Sequence, residues 1–467
     1  MKVLHYLHGL PPVKDGGLVK YALDLADGER KLGHEVQLLV PGKFKSKLDG
    51  ETEIQSKVWR GFTCNYVINP LPVTEGKKID RMSDLYRKGS FDIFFTFLVK
   101  LSPDIIHMHS FMGIYLSFMQ AAEKLGIPVV FTTHDYYGLC PKINLFRDGR
   151  ICTEMDWNVC DSCMGNVVSE KKIEWQHSDL YRMLKTNRFF HWLEYSQRLL
   201  PYKIFVKNML KKNRNAVRSL PENNQKKMDS TRCVTEEYEA LHRYYQQMFK
   251  NITCFHFNSR QSQQVFEGYL GNVRGEVIPI TNRRVKDNRK IYTYGGKLKI
   301  GYLGKGQLFK GYGYLKEVLD AMYQSGMTEL ECHVYFNSQD IDCPYVYRHE
   351  PYNEEEIESV FNSIDVLVVP SLCKETFGMV VLEALSYGVP VIMSSNVGSK
   401  ELLDSNQGMG IVIDINESNK KMQDVLERIY NDRSILSQMN RKICKWNREW
   451  SFEKHVIEIL NLYGNLC

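Results

Sequence analysis

The stretch SLCKETFGMVVLEALSYGVP, residues Ser371 to Pro390, decides the architecture. It follows Ile364-Asp365-Val366-Leu367-Val368-Val369, a run closed by Pro370. After Asp365 the apolar residues lie side by side without polar alternation, as in a strand buried on both faces of a parallel sheet. Cys373, Lys374 and Glu375 form a short loop. From about Thr376 the pattern turns helical, because Val380, Val381, Ala384 and Leu385 fall at i, i+1, i+4 and i+5. Thr376 is the expected N-cap and Gly388 the expected stop. Glu375 then stands on the loop at the carboxyl end of a strand, and Glu383 lies in the helix that follows. Ligands of open α/β sheets sit at that edge. The N–H groups of Phe377, Gly378 and Met379 are expected to face the same crevice, where they suit an anion or a sugar hydroxyl.

Working outward, E-T-F-G-M-V-V-L-E-A is followed by G-V-P-V-I and by Lys400-Glu401-Leu402. Glu375 and Glu383 at this spacing, with the strand before them, resemble the signature of retaining family-4 glycosyltransferases of the GT-B fold. The resemblance implies an α/β protein of two Rossmann-like doubly wound domains facing a cleft that holds a nucleotide sugar. It implies residues 1–284 as an N-terminal acceptor domain, with a cysteine-bearing and helical basic insert at about 140–250. Residues 285–445 become the nucleotide-sugar-binding domain, and 446–467 a helix that packs back on the first domain.

Length and composition agree with this class. A chain of 467 residues exceeds one ordinary core, so two or three domains are expected. Its 43% hydrophobic and 25% charged residues are ordinary for a globular protein. The net charge of +6 is a mild basic bias, open to a phosphate-bearing substrate, an anionic membrane surface or no functional meaning at all. Twelve cysteines in a chain of this size are no disulfide scaffold, and the start MKVLHYLHG reads as a strand rather than a signal h-region. No run approaches the roughly 18 to 20 apolar residues of a spanning helix. A cytoplasmic, reducing location is expected.

In the N-terminal half, strand Val3–Leu7 leads into a loop with Gly16 and Gly17, a helix ending near Gly33, and a strand at 34–40. Paired glycines at a helix start let backbone approach a phosphate, and the resemblance carries Gly16 and Gly17 over as donor-binding. Residues 41–90 read as irregular. Strands at 103–109 and 127–135 both end in histidine. His107 and His109 read as structural histidines. His134, in T-x-H-D, resembles the family's histidine that contacts the transferred sugar, with Asp135 expected to orient it.

Cys140, Cys152, Cys160 and Cys163 are spaced C-x11-C-x7-C-x2-C. The C-x2-C pair can chelate one ion and the other two thiolates can complete a tetrahedral site, so structural zinc is expected, and not metal catalysis. Scattered buried thiols or a redox pair stay open as alternatives. Residues 165–250 carry no sheet signal. Between Arg182 and Lys227 the sequence holds 12 basic residues against two acidic ones, Glu194 and Glu222. Tyr202, Phe205, Val206, Met209 and Leu210 share a helical face opposite Lys203, Lys207 and Lys211. This pattern suits an anionic membrane surface, at the inner face of the cell membrane; a helix packed on its own domain stays open. No nucleic acid is expected, since no binding motif accompanies the charges.

In the C-terminal half, the strand at 299–304 precedes Lys305-Gly306-Gln307-Leu308-Phe309-Lys310-Gly311. Two lysines on a glycine-bearing loop would neutralise a diphosphate. The family's loop commonly reads G-R-x(4)-K-G. Lys305 stands where arginine is usual and loses the bidentate fork; Lys310 matches the lysine. Tyr352 is placed by the nucleotide base, with core packing an equal alternative. The implied reaction moves a sugar from a UDP-, GDP- or ADP-linked donor to a glycan or lipid-linked acceptor hydroxyl with retention, in surface polysaccharide or glycolipid assembly. Glu383 would bind ribose, and Glu375 the sugar hydroxyls with His134 assisting. Lys305 and Lys310 would take the phosphate charge, so no catalytic cofactor is needed. A nucleotide-sugar hydrolase or epimerase, and a silent scaffold built around a zinc insert, are the rival readings. Intact Glu375, Glu383, Lys310 and His134 speak against the scaffold.

Overall fold

The computed structural model describes residues 1–45, 50–153, 157–165, 167–186, 224–336, 343–353, 355–404, 408–415 and 419–467. The first sheet holds β1 (Lys2–Tyr6), β2 (Glu35–Pro41), β3 (Glu53–Trp59), β4 (Phe62–Ile68), β5 (Ile105–Met108), β6 (Val129–Thr132), β7 (Cys254–Phe257) and β8 (Gly275–Val277). They lie in the order β8-β7-β6-β5-β1-β2-β4-β3. All pairings are parallel except β3 with β4. Strand order reverses at β1 and β5, so the carboxyl ends of these two strands border a crevice.

The second sheet holds β9 (Leu298–Tyr302), β10 (Leu330–Val334), β11 (Val346–Arg348), β12 (Val366–Val369), β13 (Val391–Ser394) and β14 (Gly410–Ile413). Its order is β11-β10-β9-β12-β13-β14, all parallel. The reversal falls between β9 and β12, so the loops after them, with Lys305, Lys310 and Glu375, share one edge.

Helices fill both faces of the sheets. In the first half they are α1 (Gly17–Lys31), α2 (Phe91–Leu101), α3 (Leu116–Lys124), α4 (Trp157–Met164), α5 (Glu170–His177), α6 (Asp179–Thr186), α7 (Asn224–Lys250) and α8 (Arg260–Leu270). The second half adds α9 (Tyr312–Gln324), α10 (Ile357–Asn362), α11 (Met379–Ser386), α12 (Glu401–Asp404), α13 (Asn419–Asn431), α14 (Ser434–Lys445) and α15 (Phe452–Gly464). One hydrophobic cluster runs from α1 and β2 through α11 and β13 to α15, so it is shared by both sheets. The outer faces have separate cores, one around Phe94, Phe118 and Phe131 and one around Leu315, Leu319 and Met422.

Three expectations are corrected. Residues 41–90 are not irregular: β3 and β4 form a hairpin in which Trp59 pairs with Phe62. Arg60 and Gly61 between them have φ of 47° and 80°, the positive pair that a two-residue turn matching strand twist requires. Among its described residues, the segment 165–250 contributes a short ladder, because Val167 pairs with Lys78 and Val168 with Ile79. Helix α11 starts at Met379, not Thr376. Gly378 has φ 91°, and a Cβ there would lie 2.6 Å from Val397 Cγ1. The chain therefore turns sharply before the helix, and no side chain caps it. The proposed membrane face at 202–211 lies outside the described residues.

The last helix returns to the first sheet. Phe452, Val456, Ile459 and Leu462 of α15 are buried, and a Cβ on Gly28 of α1 would lie 2.6 Å from Val456 Cγ2. Gly28→Leu should therefore lower stability by about 1–3 kcal/mol through overpacking, read as a fall in thermal midpoint. Val456→Ala in the same chain should recover part of the loss, and strict additivity of the two changes would show that the helices do not meet there.

Candidate active site

The loops after β9 and β12 zip together at the edge of the second sheet. Leu372 N–H donates to the Phe309 carbonyl at 2.9 Å. Gly311 has φ 79°, and a Cβ there would stand 1.9 Å from the Pro370 carbonyl oxygen. Only glycine permits this approach. It sets Lys310 beside Glu375, with Nζ 3.0 Å from Oε1. Ser371 Oγ also donates to that carboxylate. Burial alone would lower the Lys310 ammonium, but the Glu375 charge, nearby Cys373 and the hydrogen bond to Glu375 together outweigh it and hold the group above its ordinary range. The Glu375 backbone is tied into the sheet edge: its N–H donates to Asn396 O at 2.8 Å, and its carbonyl accepts from Gly398 N–H at 3.1 Å. Lys305 is exposed on the same loop, and Tyr302 Oη donates to its carbonyl at 2.9 Å.

Helix α8 of the first domain docks on this loop. Gln261 Nε2 donates to the carbonyls of Glu375 at 2.8 Å and Asn396 at 2.5 Å. Ser259 Oγ donates to Thr376 O at 2.5 Å. Lys400 Nζ donates to Gln261 Oε1 at 3.2 Å. Thr376 does not cap α11; its Oγ1 donates 2.8 Å to the carbonyl of His134. Three separate loops from both sheets thus meet, with the His134 backbone held by the residue after Glu375 and Lys310 paired with Glu375.

His134 is half-buried at the end of β6, with the Tyr21 ring 5.0 Å away. Burial first, then His256 and His8, hold its imidazole well below the ordinary range. Asp135 does not orient it. Asp135 Oδ1 accepts from Tyr137 N–H at 2.9 Å, and burial pushes its carboxyl up to about 6. The orienting partner is His109, whose Nδ1 lies 3.1 Å from His134 Nε2. His109 Nε2 is 3.0 Å from His5 Nδ1, and His5 Nε2 is 2.7 Å from Glu29 Oε2. Sequence reading missed Glu29 and His5 altogether, and no local signal marks them, since the contacts span 24 and 104 residues.

Gly16 and Gly17 open α1 one turn before Tyr21. A Cβ on either would meet no protein atom within 4 Å, so packing does not demand glycine and the space is free for a ligand. On the other side of the cleft, Glu383 is buried on α11. Burial and then the Glu383 charge raise the Tyr352 phenol, which places the two together. Tyr352 also packs edge-on against Tyr335 at 5.6 Å. Phe377 is buried, and its carbonyl accepts from Ser399 N–H at 2.7 Å. Gly378 and Met379 start α11 at the cleft edge.

Cys140, Cys152, Cys160 and Cys163 line one small cavity with Lys142 and Arg147. Burial pushes the Cys140 thiol up to about 11, with Cys152 and Cys163 adding to it. The donor set suits zinc. Among the described residues, however, the group with three ligand atoms within 4.8 Å of one another is His5, His107 and His109, so the sulfurs would have to draw together around an ion.

Two family models match the chain: Glycosyltransferase Family 4 over residues 15–162, and Glycosyl transferases group 1 over residues 348–446. A protein of the cps region of Klebsiella pneumoniae, described as an uncharacterized 42.6 kDa protein, is 26% identical over 144 residues. The match covers 30% of this chain and 38% of that protein, so the chain spans well under half the length of this curated relative. Sucrose-phosphate synthase from Thermosynechococcus elongatus superposes with a TM-score of 0.55 at 14% identity, covering 100% of this chain and 98% of that one. WaaG, a glycosyltransferase involved in lipopolysaccharide biosynthesis, gives 0.54 at 13%, covering 98% and 99%. HepE of Anabaena in complex with UDP-glucose gives 0.51 at 11%, covering 100% of both chains. The fold is the GT-B fold of glycosyltransferases. The chain belongs to the family-4, group 1 glycosyltransferases.

If the cysteine cavity holds zinc, the full chain should carry about one zinc per protein by elemental analysis, and Cys160→Ser should lower that content and the thermal midpoint. An unchanged metal content would remove the zinc reading.

Proposed function

We propose that this protein transfers a sugar from a nucleotide-sugar donor to an acceptor hydroxyl, with retention at the anomeric carbon. The observation that carries the reading is the docking of the His134 backbone on Thr376, next to the Glu375–Lys310 pair, with Glu383 and Tyr352 together on the same domain as that pair. Glu375 would accept hydrogen bonds from donor-sugar hydroxyls, and Glu383 from the ribose. Departure of the nucleoside diphosphate builds charge on its phosphates. Lys310, exposed Lys305 and the N-terminus of α11 would stabilise that charge, as preorganised cations and dipoles do. The departing phosphate would take the acceptor's proton in a front-face attack. The UDP-glucose in HepE and the lipopolysaccharide role of WaaG favour a nucleotide-linked hexose and a glycan or lipid-linked acceptor.

No helix among the described residues is long and apolar enough to cross a membrane. Trp175, Leu180 and Met183 are nevertheless exposed on α5 and α6, beside Lys185. That pattern supports peripheral contact with an anionic inner membrane face, next to a lipid-linked acceptor.

A thermal-shift panel of UDP-, GDP- and ADP-sugars tests the donor. A ligand at a hundred times its Kd stabilises by about 2.7 kcal/mol, and one base should stand out. Glu383→Ala should abolish that shift. An undiminished shift would end the ribose assignment.

A further inference from the structure

A buried chain of polar side chains runs from the core to His134. Its first branch is Glu29, His5, His109 and His134, already described. Its second branch leaves the other carboxylate oxygen. Glu29 Oε1 lies 3.0 Å from Tyr463 Oη, which is 2.5 Å from His107 Nδ1. His107 Nε2 is 2.6 Å from Thr132 Oγ1, which is 2.8 Å from His256 Nδ1. His256 Nε2 ends the branch 2.8 Å from the carbonyl of Ile278. His5, Glu29, His107 and His256 are wholly sealed from solvent.

A carbonyl only accepts, so the protons can be counted from Ile278. His256 donates from Nε2, and with neutral imidazoles its Nδ1 accepts from the Thr132 hydroxyl. Thr132 then accepts from His107 Nε2–H, and His107 Nδ1 accepts from the Tyr463 hydroxyl. Tyr463 has spent its only proton, so the bond to Glu29 needs a proton on Glu29 itself. The alternative is a carboxylate with one cationic imidazole, His107 or His256. Either way the network holds one proton more than a carboxylate with neutral histidines supplies, which avoids an uncompensated buried charge. Burial, with His5 and His256 close by, holds His107 well below its ordinary range.

Every assignment that satisfies all these bonds with that single extra proton gives the same first branch. His5 donates to Glu29 from Nε2, so its Nδ1 accepts from His109 Nε2–H. His109 Nδ1 then accepts from His134 Nε2–H. A cationic His5 is excluded, because it would leave the Tyr463 and Glu29 oxygens facing each other without a proton. His134 Nδ1 remains, with no hydrogen-bond partner among the described residues and not sealed from solvent.

We propose that Glu29, acting through His5 and His109, fixes His134 as the Nε2–H tautomer, so that its Nδ1 lone pair reads a hydrogen-bond donor on the ligand, a sugar hydroxyl and not a carboxylate or ether oxygen. The ligand half rests on the donor-sugar role given to His134 above. Glu29, His5 and His109 are positioning residues. His5, His107 and His109 are not offered as a metal site, since their ring centroids lie 4.2 to 5.3 Å apart and their nitrogens are spent in these bonds.

The test is histidine-selective 15N labelling of the ligand-free full chain, with His134 assigned by the signal lost in His134→Gln. An unprotonated Nδ1 and a protonated Nε2 are expected in the wild type. The same is expected in Glu29→Gln, whose amide accepts from His5 and donates to Tyr463 as the acid does. Glu29→Leu, or His109→Leu should the first not fold, is expected to show both tautomers. A protonated Nδ1 in the wild type, or an unchanged tautomer once the chain is cut, overturns the proposal. For the ligand half, monodeoxyfluoro analogues of whichever nucleotide sugar the panel identifies are compared. One should bind at least tenfold more weakly, with that loss gone in His134→Ala; a loss independent of His134 overturns this half. If no nucleotide sugar binds the wild type, the donor reading falls, while the 15N spectrum still decides the tautomer.

Discussion

Burial of α15 against α1 is the contact on which both the two-domain arrangement and the cleft depend. Phe452, Val456, Ile459 and Leu462 leave water there, and each such side chain contributes on the order of 1.5–3 kcal/mol. The apolar gain holds only if polar atoms buried with it find partners. Tyr21 Oη meets His455 Nε2 at 2.9 Å, and Tyr463 Oη meets Glu29 Oε1 at 3.0 Å. Both pairs join residues 434 positions apart. The end of the chain therefore completes the polar interior of its beginning.

The two walls of the cleft are built on opposite electrostatic terms. On the second domain, Lys310 and Glu375 form a half-buried ion pair at 3.0 Å, held by a loop contact that only Gly311 allows. An incoming diphosphate would find a cation already in place, and a sugar hydroxyl a carboxylate. On the first domain, burial keeps His107, His109 and His134 well below their ordinary range. That wall presents the imidazole of His134 in a set direction, backed by the buried His109. A neutral, directional wall facing a charged one suits a ligand with hydroxyls at one end and phosphates at the other.

The second domain was readable from sequence because its chemistry is local. Strand, loop and helix follow within Val366 to Ser386, and Glu375 and Glu383 reach one edge through backbone geometry alone. The misplaced start of α11 shows the limit: a glycine in left-handed conformation overrode a plausible threonine cap, and Thr376 was taken instead by the His134 carbonyl across the cleft. The β3–β4 hairpin was missed because its outer face is largely polar and exposed, which weakens the alternation that marks a strand. The role given to Asp135 failed for the same reason as the threonine cap: a closer backbone partner, Tyr137 N–H, was available.

The sequence by itself determined the fold class, the switch-point loops and the acidic and basic residues they carry, because hydrophobic period and glycine placement act over a few residues. Only the tertiary structure decided which histidines touch, what orients His134, and that Glu29 and Tyr463 share a hydrogen bond. Those contacts join β1, α1, β5, β6 and α15, and their pairing follows from sheet order and from the return of the last helix. A hydrogen bond depends on distance and direction to a few tenths of an ångström, and spacing along a chain carries no such information across hundreds of residues.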